Sequence, residues 1–182
     1  MMDLANEFPS AGMPTRKEEK PVGPTVQLIT FTIGDEEYGV DIMAVREIRA
    51  WAETTLLPNT PKYVRGVINL RGTIVPIYDL RARFGMGATD ASKTHVVIVV
   101  GIGGRTIGIL VDTVSDILTV TEHDVRPVPD MELTVDGAFL SGLITVQDHM
   151  VALIQLDKLF DTTLAVAGTA TKGAESLPSP GT

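Results

Sequence analysis

Two pairs of segments decide the fold: GVDIMAVREI (residues 39–48) with GILVDTVSDI (108–117), and GVINLRGTIVPIYDLRARF (66–84) with GLITVQDHMVALIQLDKLF (142–160). At an offset of 69 the first pair places Gly39 on Gly108, Val45 on Val114, Glu47 on Asp116 and Ile48 on Ile117, and Pro58 falls on Pro127. At an offset of 76 the second places Gly66 on Gly142, Ile68 on Ile144, Val75 on Val151, Leu80 on Leu156 and Phe84 on Phe160. Matches among Val and Ile arise easily by chance, whereas shared glycines, a shared proline and one constant Gly-to-Phe distance do not. The chain therefore reads as a duplication. The seven-residue change of offset falls near PDMELTVDGAFLS, where a loop insertion is expected.

Outward from these segments the body, about 26–161, reads as strands. VQLITFTI alternates, with Leu28 and Thr30 on one side and Ile29, Phe31 and Ile33 on the other; GDEE then supplies turn residues and YGVDI resumes. THVVIVVGI and TIGILVD surround Gly103-Gly104, a pair suited to a tight hairpin. GVINL, TIVPIYDL, GLITV and MVALIQL are further β-branched runs. Helical spacing is confined to short turns: Ile42, Val45 and Ile48 recur every three residues, and DLRARF and LDKLF suit one turn each. Each repeat, with five or so strands, suggests a small closed barrel, so the expectation is a mainly β protein with pseudo-twofold internal duplication and short helical turns. A unit of about 65 residues is marginal alone. Two barrels packed together remedy this and create a groove between them, a usual place for a binding site. The pattern is equally satisfied by one barrel from each repeat-like half, about 26–90 and 91–161, or by strands exchanged between the halves. Residues 1–25 and 162–182, rich in Pro, Gly, Ser, Thr and Ala, read as disordered tails.

Composition excludes several classes. Of the 182 residues 44% are hydrophobic, enough for a packed core; only 5% are aromatic, so Val, Ile and Leu must fill it. A net charge of −8 opposes binding to nucleic acid or to an anionic membrane surface. With no cysteine there is no disulfide, thiolate nucleophile or Cys-based zinc site. No apolar run reaches signal-peptide or membrane-spanning length, so a cytoplasmic location is expected. The acidic excess sits in the second half: residues 26–90 hold eight acidic and seven basic side chains, and 91–160 nine and four. The halves are thus expected to meet different surroundings.

Catalytic signatures are absent. His95, His123 and His149 have no metal-ligand spacing, and neither a G-x-S-x-G elbow nor a Walker loop occurs. Gly101-Ile102-Gly103-Gly104 imitates a dinucleotide loop, but Thr106 stands where the third glycine belongs and β-type sequence follows. Glu36-Glu37 beside Asp35 suits a solvated turn. No enzyme, cofactor or metal is expected.

GDEEYGVDIMAVREI, then PNTPKYVRGVINLRGTIVPIYDLRARF, then VVIVV, IGILVDTVSDIL, RPVP and LSGLITV, closely resemble the CheW family of bacterial chemotaxis adaptors. The resemblance spans about Val26 to Phe160, and its N-L-R-G-x-I-V-P-I-x-D-L-R element is highly specific. It implies two SH3-like barrels around a groove, and a protein that bridges the CheA histidine kinase, through its regulatory domain, to the cytoplasmic tips of methyl-accepting chemoreceptors. It also implies a monomer when free, assembled into receptor arrays. The alternative is a CheW-like adaptor in a chemosensory pathway with an output other than swimming; a small-ligand sensor using the groove is a weaker third. By matching motifs, Val45, Glu47, Gly66, Arg71, Val96 and Val97 resemble receptor-side positions, and Val114, Ile117 and Gly142 resemble kinase- or partner-binding ones. Each has a plainer reading. Val96, Val97, Val114 and Ile117 lie in strand-like runs and suit core packing as well as contact, and the glycines suit backbone necessity. Glu47 and Arg71 suit a fold-fixing ion pair somewhat better than direct contact.

Overall fold

A computed structural model describes residues 23–130 and 137–160. Apart from residues 23–25, of which Thr25 begins the first strand, the expected tails lie outside the described residues, as does part of the expected insertion. Ten strands follow in order: β1 (Thr25–Ile33), β2 (Glu36–Asp41), β3 (Val45–Ala50), β4 (Val64–Leu70), β5 (Thr73–Asp79), β6 (Val96–Ile102), β7 (Arg105–Val111), β8 (Thr113–Thr121), β9 (Leu140–Val146) and β10 (His149–Ile154). One-turn helices α1 (Leu80–Arg83) and α2 (Leu156–Leu159) follow β5 and β10, where DLRARF and LDKLF placed them. The threefold spacing from Ile42 yields less helix than expected. Only Ile42–Ala44 is a 3-10 turn, capped by Asp41, whose carboxylate accepts from Met43 N at 2.8 Å. From Val45 the chain is strand, and a bulge between Val45 and Glu47 explains the spacing. Val45 opposes Val100 and Ile48 opposes Ile98, so the extra residue leaves positions three apart on one face.

The sheets have strand orders β8-β1-β2-β10-β9 and β3-β6-β7-β5-β4. Strands are thus exchanged between the halves. Residues 45–111 form one barrel without interruption, here the inserted barrel; the chain on either side of it forms the other, the split barrel. Each five-stranded sheet is closed by a bridge from the segment after its first edge strand, Thr55 to Val67 and Arg126 to Leu143.

The register follows the sequence offsets residue by residue. Ile29 opposes Ile117 in one barrel and Ile98 opposes Ile48 in the other; Phe31 with Val114, and Val100 with Val45, sit across the matching bulge. In the parallel contacts Gly39 opposes Leu153 and Gly108 opposes Ile77. A side chain at Gly39 would press on Leu153 at 3.2 Å, and one at Gly108 would overlap Ile77, so the shared glycines let the partner strand's side chain lie flat.

Three apolar clusters hold the molecule. Leu28, Val120, Ile144 and Leu153 fill the split barrel, and Val75, Ile77, Val97, Val99 and Leu110 fill the inserted one. A larger cluster lies between them, including Ile29, Phe31, Ile33, Ile98, Val100, Ile107 and Ile109. The inner strands β1 and β6 are therefore apolar on both faces: Leu28 and Val97 point into barrels, Ile29 and Ile98 into the seam. Each fully buried Leu, Ile or Phe contributes about 1.5–3 kcal/mol. Thr30, the polar exception inside the split barrel, exchanges hydrogen bonds with the backbone of Asp116 (3.2 and 3.3 Å) at the β8 bulge.

Candidate functional site

The residues singled out from sequence divide by barrel. Val45 and Glu47 (β3), Gly66 (β4), Arg71 (the β4–β5 turn), and Val96 and Val97 (β6) all belong to the inserted barrel; Val114 and Ile117 (β8) and Gly142 (β9) belong to the split one. Glu47 and Arg71 meet at 3.0 Å, with side chains 26% and 77% exposed. Arg71 and Gly72 both have positive φ (50° and 86°), the signature of a tight hairpin turn, which Asn69 supports by accepting from Gly72 N at 2.8 Å. The turn holds the arginine outward.

Gly66 has φ 124°, and a Cβ there would overlap the Thr55 carbonyl at the closing bridge. Gly142 occupies the matching place: its Cβ would stand 2.5 Å from Val125 and 3.0 Å from the Arg126 carbonyl. Backbone closure requires both. Val97 lies in the inserted barrel's interior and reaches a partner only through packing. Val45, Val96 and Val114 are half-buried at the margin of the seam. Ile117 is 53% exposed and free to make contact.

Sequence reasoning missed other exposed apolar side chains. Ile48 (44%) matches Ile117 at offset 69, and Ile74 (61%) matches Met150 (54%) at offset 76. The repeat thus presents the same two apolar positions on each barrel, a signal available from the alignment once burial is known. The barrels differ in charge far more than the linear halves. Residues 45–111 carry nine Lys and Arg against four Asp and Glu; the described residues of the split barrel carry two against eleven. Similar apolar positions within opposite fields suit two different partners.

A groove of about 680 Å³ opens at one end of the seam, lined by Tyr63, Ile74, Pro76, Tyr78, Ile107 and Phe160 among others. Tyr78 packs against Tyr63 and Phe160 with ring centroids 5.9 and 4.7 Å apart, and burial raises its pKa, with the Tyr63 phenol adding to the rise and Arg105 opposing it. No spacing links these three rings in the sequence. A second concavity of about 280 Å³ lies at the mouth of the split barrel, by Gly39, Val120, Val125 and Leu153. The expected inter-barrel groove therefore exists at one end, while packed side chains fill the rest of the seam.

Among the described residues, no group of three or more His, Cys, Asp or Glu is placed to hold a metal. Asp79, fully buried, is engaged in structure: it accepts from Thr89 N and Thr89 Oγ1 (2.7 Å each) and from Ala82 N (3.2 Å). The glutamates beside Asp35 are also engaged, Glu36 accepting from the Tyr38 hydroxyl and Glu37 pairing with His149 at 2.8 Å. No described helix is long and apolar enough to cross a membrane.

Two closed barrels with exchanged strands, paired apolar surface positions and opposite charge define a scaffold that acts by binding. Residues 27–164 match the family described as CheW-like domain. The chain is 47% identical over 134 residues to the chemotaxis protein CheW of Rhizobium meliloti (74% of this chain, 86% of that one). It is 42% identical over 145 residues to that of Klebsiella aerogenes (79% and 87%). The crystal structure of the scaffolding protein TtCheW from Thermoanaerobacter tengcongensis superposes with a TM-score of 0.70 at 35% identity, covering 79% of this chain and 92% of that one. The chain belongs to the CheW family and is a non-enzymatic adaptor of chemotaxis.

Proposed function

We propose that this adaptor works in the cytoplasm, bridging the signalling tips of chemoreceptors to the regulatory domain of the CheA histidine kinase and passing receptor state to kinase activity. The observation that carries this reading is the doubled surface: one apolar pair per barrel, set in fields of opposite sign. On this reading the inserted barrel meets the receptor. Ile48, Glu47 and Arg71 lie at the surface, Val45 and Val96 at its margin, and Gly66 and Val97 keep the barrel in shape. The split barrel meets the kinase through Ile117, with Val114 and Gly142 in support. Holding both partners raises their effective concentration for each other. Regulation also requires that receptor state change the free energy of a kinase state through the adaptor, typically by ~1–3 kcal/mol.

The test is reconstitution. Receptor fragment, CheA and this chain should co-purify as one complex, and kinase activity should respond to the receptor only when the chain is present. Binding to CheA alone, with an unchanged kinase response, would overturn the coupling role.

A further inference from the structure

The duplication is broken at the seam between the barrels, and the two ends of that seam differ in their contacts. At one end the Asp112 carboxylate accepts from Gly34 N (2.7 Å) and from the Arg81 guanidinium (2.8 Å), with His95 Nε2 at 3.6 Å. This latch ties the β1–β2 turn of the split barrel to α1 and to the start of β6. The same end is filled by rings: Tyr38 packs on Phe84 at 5.2 Å, and Phe84 on Phe139 at 6.5 Å. The repeat offsets carry Gly34 to Gly103, Arg81 to Asp157, Asp112 to Met43 and Tyr38 to Ile107. At the other end the latch chemistry is therefore gone, and an isoleucine stands where a tyrosine would fill the space. The groove occupies that space. Arg105 and Asp157 both line it, and no ion pair joins them among the described residues.

Between the ends lies Arg83. Its guanidinium sits 4.9 Å from the Tyr63 ring centroid and 4.5 Å from that of Phe139, and its Nε donates to the Leu159 carbonyl at 3.0 Å. Offset 76 relates Tyr63 to Phe139 and Arg83 to Leu159, so this arginine bridges matching elements of the two barrels close to the pseudo-twofold axis.

We propose that the seam is a hinge: the barrels pivot at Arg83, the Asp112 latch fixes one end, and the groove widens and narrows at the other. Narrowing brings Arg105 toward Asp157 and packs Ile107, Tyr78 and Phe160 more closely; widening exposes them. A partner that fills the groove shifts this equilibrium by its differential affinity for the wide form. Its use as a relay rests on the adaptor reading; the motion itself is a property of this chain alone.

The chain has no cysteine, so paired labels can be placed cleanly. Spin labels at T73C and K158C span the open end, and labels at D35C and K93C span the latched end; all four positions are exposed. The distance distribution of the free protein should be broader at the open end. D112N should widen the latched-end distribution, and R81Q, which breaks the same latch from the other side, should do likewise if D112N fails to fold. Equal widths at the two ends, or a latched-end distribution unmoved by the latch variant, would overturn the hinge. Either result would leave the adaptor reading standing, because no partner is present in the measurement.

Discussion

Glu47 on β3 and Arg71 in the β4–β5 turn are joined by an ion pair of 3.0 Å, and the arginine is 77% exposed. An exposed pair of this kind contributes about 0–1 kcal/mol. A double-mutant cycle on unfolding with Glu47→Ala and Arg71→Ala should give a coupling energy in that range, with both single variants folded. Coupling above about 2 kcal/mol would instead indicate a desolvated pair. A small coupling together with weakened receptor binding would make the pair part of the contact surface.

Gly66 and Gly142 occupy matching closing positions, but only Gly66 has the left-handed φ, 124°. Gly66→Ala combines that strain with overlap on the Thr55 carbonyl and should cost about 2–4 kcal/mol. Gly142→Ala meets the movable Val125 side chain first and should cost less. Urea unfolding of the two variants checks the order; equal losses would contradict it.

Asp79 is fully buried and holds the turn at Thr89 against the N-terminus of α1. Asp79→Ala leaves those donors without their acceptor and should cost about 2–4 kcal/mol, in line with losing several hydrogen bonds to a buried charge. A loss below about 0.5 kcal/mol, within the range of ordinary surface changes, would contradict this role.

The Asp124 carboxylate accepts from Thr121 N (2.7 Å) and Thr121 Oγ1 (2.8 Å), and these bonds hold its pKa below the ordinary value. With the folded pKa below the unfolded one, about 3.9, the contribution is full above the unfolded pKa. It is lost as pH falls through the folded value. Asp124→Asn should therefore lose less stability than the parent on acidification below about pH 4, with parallel curves near neutrality. Superimposable acid limbs would show that the bonds contribute nothing.

Sequence offsets carried the register of this fold further than its connectivity. They pair Ile29 with Ile98 and Ile48 with Ile117, and the matching residues occupy corresponding places in the two barrels, bulges included. Alternation is satisfied whether β3 joins β1 of its own half or β6 of the other, so strand exchange is invisible to periodicity. Exchange also diluted the charge signal: the split barrel draws from both ends of the chain, and its acidic side chains are shared between the linear halves. Glu47 and Arg71 were legible as a pair through their motifs. A groove between the barrels was expected, but its place and lining were not legible, because Phe160 comes from the far end of the chain and meets Tyr63 and Tyr78 only where Ile107 stands in place of a tyrosine.

The proposed function requires that the two barrels serve two separate contacts. Ile48→Asp and Ile117→Asp test it most directly, since both side chains are exposed and the unfolding profile should remain that of the parent. Each variant is titrated against an isolated receptor fragment and an isolated CheA regulatory domain. Ile48→Asp should weaken receptor binding at least tenfold, about 1.4 kcal/mol, and leave kinase binding unchanged; Ile117→Asp should do the reverse. Equal losses toward both partners from either variant would contradict separate contacts and leave one shared site.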